Sequence, residues 1–311
     1  MPTALNLEKK KKIDDFYSLT EDIENELVHY KKFLEGKSVY CCCDHPLYSN
    51  FYKFLCDHYD EWNIKEVICS CKSWEGRSAL VAIKNSKSKE GIIYDLEGDG
   101  SYDSQECLKY FLRADVVITN PPFSLAQEFI KYLISLEKKF IIVCNRNTIA
   151  TKKIFPLFMN GIIKYGYGFH GRTAKFFIPP YLYGFYNDDV VRGEQNIVRF
   201  RNVVWLTNYD VEIPAIKREY CKKYSARRYP KYDQYDAINI DKITDIPKDY
   251  YDVMGVPITF LEGFDYDEFE LLGMDRFMPL NKTNKRFSVK GKEKYARILI
   301  KRKKQNNELQ I

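Results

Sequence analysis

Between residues 36 and 160 the sequence alternates short apolar runs with amphipathic segments. The apolar runs are SVYCCC (38–43), EVICSC (66–71), GIIYDL (91–96), DVVIT (115–119) and FIIVCN (140–145). Helix-like stretches lie at 48–59, 104–113, 124–136 and 150–159. Strands that alternate with helices predict an α/β fold whose largely parallel sheet is covered on both faces. The aromatic runs GIIKYGYGFH, KFFIPP and VVWLT after residue 160 predict an antiparallel β-hairpin that closes the edge of this sheet.

Two regions lie outside this alternation. Residues 8–35 are rich in lysine and carry apolar side chains at three-to-four spacing, which predicts a helical arm within residues 1–35. Residues 210–311 are rich in Tyr, Asp and Pro and predict an irregular region with short strands at best. We therefore expect three parts: the arm (1–35), the α/β domain (36–209) and a loop-presenting C-terminal region (210–311).

The composition limits the class of protein. The chain is 45% hydrophobic and 15% aromatic, which is typical of a globular protein with a sizeable core. No apolar run reaches the roughly 20 residues of a membrane span, and the first residues contain no apolar signal region, so we expect a cytoplasmic protein without a membrane partner. The nine cysteines are irregularly spaced, which predicts neither a disulfide framework nor a metal site.

Positive charge is concentrated near the C-terminus. The net charge is only +6, but residues 282–304 carry eleven Lys or Arg against one acid, Glu293. Phe287 and Tyr295 are interleaved with these cations, a combination that suits a polyanion such as nucleic acid. A solvated tail is the alternative, and charge alone does not decide between the two.

A stiff turn follows the run DVVIT. Asn120, Pro121, Pro122 and Phe123 come next, and then a helical pattern resumes. The prolines cannot donate to a strand ladder, so the strand ends where open parallel sheets bind ligands. An Asn oxygen and a rigidly held Pro121 carbonyl are acceptors that can orient a nucleobase amine for methylation, and Phe123 offers the base a stacking face. The alternative is an ordinary strand-ending turn.

Two other segments suit a methyl donor. Asp44 follows the first strand and can accept a hydrogen bond from the donor's ammonium group, while the amides near Ser49 and Asn50 can face its carboxylate. In GDGSYDS (98–104), Asp99 can accept a bond from the donor's adenine amine, and Tyr102 can cover its ring. The alternatives are that Asp44 caps a helix and that the second segment is a common turn.

These segments resemble the EcoRI-type adenine-specific DNA methyltransferases. The resemblance spans residues 37–275 and includes CCCDHPLYSNFYKFL, GDGSYDSQECLKYFLRADVVITNPPFSLAQEFI and YPKYDQYDAINIDKITDIPKDYYDVMGVPITFLEGF. It implies a Rossmann-like sheet and methyl transfer from S-adenosyl-L-methionine to adenine N6 in double-stranded DNA. By position it implies that residues 120–123 hold the target adenine, and that Asp44, Ser49, Asn50 and Asp99 bind the donor.

This chain also departs from the wider methyltransferase pattern. It lacks the glycine-rich loop after the first strand, and no acid ends EVICSC, where a ribose ligand is usual. We expect a monomer, and the sequence leaves open a cognate restriction endonuclease that acts on the same site without a stable complex.

Competing functions follow from the same residues. A cytosine-C5 methyltransferase needs a nucleophilic cysteine in a Pro-Cys pair, which the sequence lacks, and cytosine-N4 enzymes more often begin the loop with Ser or Asp. Methylation of an RNA base or a protein amide remains an alternative. So does an inactive nucleic-acid-binding module on the same fold.

Overall fold

The computed structural model describes residues 16–73, 78–169, 172–179, 196–278 and 285–304. These residues form two compact units. The first comprises residues 1–148 and 163–211, and the second comprises residues 149–162 and 212–311. No helix among the described residues is long and apolar enough to cross a membrane.

The described chain contains helices and strands in alternation at first and mainly strands later. The α-helices are α1 (Thr20–Leu27), α2 (Lys31–Leu34), α3 (Asn50–Asp57), α4 (Gln105–Arg113), α5 (Ala126–Ser135) and α6 (Phe155–Met159). The strands of the first unit are β1 (Tyr17–Ser18), β2 (Ser38–Cys41), β3 (Glu66–Cys71), β4 (Leu80–Asn85), β5 (Ser88–Asp95), β6 (Val116–Thr119), β7 (Lys139–Asn145), β8 (Lys164–Tyr165), β9 (Ala174–Phe177), β10 (Ile197–Phe200) and β11 (Val203–Thr207). Those of the second are β12 (Ile238–Asn239), β13 (Val253–Pro257), β14 (Phe269–Met274), β15 (Ser288–Val289), β16 (Lys292–Glu293) and β17 (Arg297–Arg302).

An eight-stranded mixed sheet is the centre of the first unit. Its order is β5-β4-β3-β2-β6-β7-β11-β8, and the middle strands β3, β2, β6 and β7 are parallel. Every residue of β2, β3 and β6 is buried, as expected for strands with helices on both faces. The predicted α/β fold is confirmed at this level.

Both edges of this sheet differ in detail from the prediction. The run GIIYDL lies in β5, which pairs antiparallel with β4, and β4 pairs antiparallel with β3. At the other edge, β11 pairs antiparallel with both β7 and β8, but β9 and β10 intervene between β8 and β11 in the chain. Antiparallel strands therefore lie at this edge as expected, but they do not form a single hairpin.

The strands β1, β9 and β10 form a separate three-stranded antiparallel sheet. The prediction of a helix through Tyr17 and Ser18 is wrong, because these residues pair with Phe177 and Phe176. The helix begins at Thr20, and its residues Ile23 and Leu27 are fully buried. Residues 8–15 of the predicted arm lie outside the described residues.

The second unit contains more regular structure than the sequence predicted. A four-stranded sheet has the order β12-β13-β17-β14, so β17 lies between two antiparallel neighbours. The helix α6 also belongs to this unit. The division into residues 1–35, 36–209 and 210–311 stays a prediction.

The basic segment is not a solvated tail, because β17 is part of it. Arg297 is 4% exposed and donates to Asp241 Oδ1 at 2.8 Å. Arg302 is ion-paired with Glu268 and donates to the Pro247 carbonyl at 3.1 Å. These two arginines stabilise the sheet, while Lys290 and Lys292 are exposed on the β15–β16 hairpin. Residues 282–284 lie outside the described residues.

Candidate active site

The carboxyl ends of β2, β3 and β6 lie side by side, because these strands are parallel neighbours. Asp44 follows β2 and is 2% exposed, and Thr119 is the last residue of β6. The Thr119 hydroxyl donates to Asp44 Oδ2 at 2.7 Å and also lies against the Cys42 carbonyl. The Asp44 amide donates to the Ser70 carbonyl of β3 at 3.0 Å. Asp44 is thus held at the point where three parallel strands end.

Asp44 does not cap α3, so that alternative is wrong. Ser49 is the cap: its hydroxyl accepts a hydrogen bond from the Tyr52 amide at 3.1 Å. The Ser49 amide donates to the His45 carbonyl at 2.8 Å. Both groups of Ser49 thus serve the start of the helix, and its contact with a donor stays a prediction.

Asn120 is buried, with 6% of its surface exposed, immediately after β6. Its Nδ2 donates to the Phe16 carbonyl at 2.6 Å. Only the amide nitrogen can donate to a carbonyl, so this bond determines the orientation of the side chain. Its Oδ1 is buried and has no hydrogen-bond partner. An unsatisfied buried acceptor costs about 1–3 kcal/mol, which a ligand with an N–H group can offset.

The rest of the turn leads directly into α5. Pro121 is buried, and Pro122 and Phe123 are half-buried. The Pro122 carbonyl accepts a hydrogen bond from the Leu125 amide at 2.9 Å. The Phe123 ring meets the Phe16 ring edge-on, with 4.9 Å between centroids. Phe123 is therefore held by an aromatic contact on one side and is still partly open to solvent.

The residues Phe16–Ser18, which we call the N-terminal strap, contact both predicted segments. The Phe16 carbonyl holds Asn120, and the Ser18 carbonyl accepts a hydrogen bond from Asn50 Nδ2 at 2.8 Å. The Ser18 hydroxyl is buried and, like Asn120 Oδ1, has no hydrogen-bond partner. The strap thus brings the turn at Asn120 and the start of α3 to one place.

Asp99 lies on a neighbouring loop beside the end of β3. Its carboxylate accepts a hydrogen bond from the Ser101 amide at 2.9 Å and pairs with Lys72 at 3.3 Å. These two interactions, the Ser101 bond first, lower the pKa of Asp99. Gly100 has a φ of +69°, and a Cβ there would clash with the Cys71 carbonyl, which explains the glycine.

Tyr102, on the same loop, packs against α5. Its ring lies edge-on to Phe129 at 5.0 Å, and burial raises its pKa to about 12. The stacking of Tyr102 on a donor ring stays a prediction.

The chain matches a known family over almost its whole length. The sequence model of the family described as "Adenine-specific methyltransferase EcoRI" matches residues 4–303. The chain belongs to this family.

Three curated relatives match this methyltransferase over almost its whole length. The Type II methyltransferase M.EcoRI of Escherichia coli is 39% identical over 96% of this chain and 96% of its own. M.MpnI of Mycoplasma pneumoniae is 31% identical, and M.MgeORF184P of Mycoplasma genitalium is 30% identical, each over 96% of this chain and 98% of its own. No solved structure matches the sequence.

Sequence reasoning missed two contacts of the candidate site. The strap was assigned to a helix, although the adjacent aromatics Phe16 and Tyr17 favour a strand. The contact of Thr119 with Asp44 was also missed, although a polar residue that ends an otherwise apolar strand is a signal for such a bond. The turn at Asn120 is predictable from the sequence because the prolines after it mark the end of the strand, and the role of Asn120 stays a prediction.

Proposed function

We propose that this chain transfers the methyl group of S-adenosyl-L-methionine to N6 of an adenine in duplex DNA, after that adenine has left the base stack. The orphaned Oδ1 of Asn120 carries the proposal. An adenine N6 amine supplies the N–H group that this buried acceptor lacks. The eight-stranded sheet then acts as the Rossmann-like sheet of a methyltransferase.

The residues at the strand ends fit the methyl donor. Asp44 provides a buried carboxylate for an ammonium group, and Asn50 and Asp99 lie on the segments that follow β2 and β5. When bound, S-adenosyl-L-methionine supplies an electrophilic methyl group on a sulfonium sulfur. The Thr119 hydroxyl orients the Asp44 carboxylate for this contact.

Asn120 and Pro121 act on the nucleophile. The lone pair of the N6 amine is delocalised into the adenine ring, so the nitrogen is a poor nucleophile until its geometry changes. Asn120 Oδ1 accepts one amine hydrogen and the Pro121 carbonyl accepts the other, which favours a pyramidal nitrogen with a localised lone pair. The nitrogen would gain its bond to the methyl carbon as the carbon–sulfur bond breaks and leaves a neutral thioether, and the amine would then release one proton to water.

A base within a duplex cannot reach these acceptors. The adenine must therefore rotate out of the helix, and the half-buried Phe123 ring replaces part of the stacking that it loses. Methylation of an RNA base or a protein amide, and an inactive binding module, fit less well with an adenine-specific family and an intact Asn-Pro-Pro-Phe turn.

The test compares the wild type with Asn120→Ala. Long-read sequencing of genomic DNA from a host that expresses the wild type should reveal N6-methyladenine at one short recurrent site, and the variant should leave that site unmodified. In single-turnover assays on this site, Asn120→Ala should be slower by ~100-fold, with near-normal affinity for S-adenosyl-L-methionine. Equal modification by the two proteins, or none by the wild type, would contradict the proposal.

A further inference from the structure

We infer that Phe16 is a positioning residue for methyl transfer and acts through Asn120. This inference rests on the proposed function, because it assumes that Asn120 Oδ1 accepts a hydrogen bond from the target amine. Its structural basis is that a single residue contacts both ends of the Asn-Pro-Pro-Phe turn. The Phe16 carbonyl accepts a hydrogen bond from Asn120 Nδ2 at 2.6 Å, and the Phe16 ring lies 4.9 Å from the Phe123 ring.

The carbonyl of Phe16 determines what Asn120 offers to a substrate. An amide side chain can rotate so that its oxygen and nitrogen exchange places, and only one of the two orientations offers an acceptor to an amine. In the opposite orientation the Asn120 oxygen would face the Phe16 carbonyl oxygen, which is repulsive. The bond to Phe16 therefore selects the productive orientation before the base arrives, which lowers the cost of reaching the transition state.

The ring of Phe16 holds its own carbonyl in place. The ring is 5% exposed, and it contacts Phe200 at 4.6 Å and Phe176 at 5.0 Å as well as Phe123. Directly after it, β1 pairs with β9, and the Leu19 carbonyl accepts a hydrogen bond from the Ile23 amide of α1 at 3.1 Å. A smaller side chain at position 16 would lose the contact with Phe123 and would hold the Phe16 carbonyl less firmly beside the turn.

The test is a double-mutant cycle with Phe16→Leu and Asn120→Ala, measured as single-turnover methylation at saturating donor and DNA. Leucine keeps an apolar side chain at position 16, so the fold is retained, but it cannot make the aromatic contacts of the Phe16 ring. We expect Phe16→Leu to slow transfer on the order of 10-fold, because small displacements of a catalytic group have effects of this size or larger. In the Asn120→Ala background the same substitution should change the rate by less than about twofold, because the group it positions is gone.

A matched control separates positioning from packing. Phe111 is another buried phenylalanine of the first unit, in α4, and its ring centroid lies 4.9 Å from that of Tyr40. Phe111→Leu should lower the thermal midpoint as Phe16→Leu does, but leave the transfer rate close to wild type. Donor affinity, measured by calorimetry, should be unchanged in both variants.

The outcomes distinguish this inference from the proposed function. If Asn120→Ala itself methylates at the wild-type rate, the catalytic assignment of Asn120 fails, and the positioning role fails with it. If Asn120→Ala is slow but Phe16→Leu is as fast as Phe111→Leu, only the role of Phe16 is overturned. Additive changes in activation free energy across the cycle would also overturn it, because additivity means that the two substitutions act independently.

Discussion

The carboxylate of Glu26 accepts a hydrogen bond of 2.6 Å from the Gly168 amide, 142 positions along the chain. It also accepts bonds from the Tyr167 amide at 2.8 Å and the Tyr30 hydroxyl at 2.9 Å. A Cβ on Gly168 would come within 2.8 Å of the Trp205 indole nitrogen, so glycine is needed for this approach. Glu26 thus fastens the loop after β8 to α1.

Glu26 should make the stability of the first unit depend on pH. Burial, the largest cause, raises its pKa from 4.5 to about 7, although the hydrogen bonds from Tyr167, Gly168 and Tyr30 oppose this shift. A carboxyl group with a raised pKa stabilises the fold fully below the unfolded pKa, and this contribution is lost as the pH rises to about 7. We expect a loss on the order of 3 kcal/mol in the free energy of unfolding between pH 4.5 and 7.

Urea unfolding followed by tryptophan fluorescence measures this loss, because Trp62 and Trp205 belong to the first unit. Glu26→Gln has no titrating group at this position and should remove most of the pH dependence in that window. If the free energy of unfolding changed with pH in the same way in the wild type and in Glu26→Gln, Glu26 would be ionised throughout this pH window.

Asp44 should contribute to donor affinity. Asp44→Asn keeps the shape of the side chain but removes its charge, so binding of S-adenosyl-L-methionine should weaken by about 1.5–3 kcal/mol. Calorimetry measures the affinity directly. Thr119→Val leaves the charge and removes only the orienting hydroxyl, so it should have a smaller effect. Unchanged affinity in Asp44→Asn would leave Asp44 with a structural role at the strand ends.

Phe123 should stabilise the adenine outside the helix. Phe123→Ala should cost ~1–3 kcal/mol in the population of extruded base, while Phe123→Tyr and Phe123→Trp should be tolerated. The fluorescence of 2-aminopurine at the target position measures extrusion, and the cost should shrink when the target faces a mismatch. Equal extrusion by the wild type and Phe123→Ala would mean that the ring serves only its contact with Phe16.

The exposed hairpin lysines should contact DNA phosphates. Replacing both Lys290 and Lys292 by alanine should lower the slope of log affinity against log salt by about 0.9 for each phosphate that is no longer neutralised. Lys31, which pairs with Glu61 in the first unit, provides a control lysine whose replacement should leave the slope unchanged. Removing residues 282–311 is not a usable test, because it would delete β17 from its sheet. An unchanged slope in the double variant would assign DNA contacts to other side chains.

Local pattern predicted the elements of the α/β sheet well because buried parallel strands and amphipathic helices have distinct periods. It did not predict β4, which lies antiparallel between β3 and β5, so β5 runs in the expected direction but does not pair with β3. The two-residue connection from Asn85 to Ser88, in which Asn85 Oδ1 accepts from the Lys87 and Ser88 amides, is what reverses the chain. Within the site, the turn at Asn120 is a local feature, whereas its bond to Phe16 spans 104 positions and has no local signal.

The central position of β17 has a consequence for the order in which the second unit can be assembled. Its neighbours β13 and β14 both precede it in the chain, and β14 pairs with no other strand among the described residues. During synthesis, the edges of β13 and β14 that pair with β17 therefore stay unpaired until Arg297–Arg302 has left the ribosome. All eight strands of the first unit's central sheet lie before residue 208, so the strands of that sheet have all been synthesised while the second unit is still incomplete.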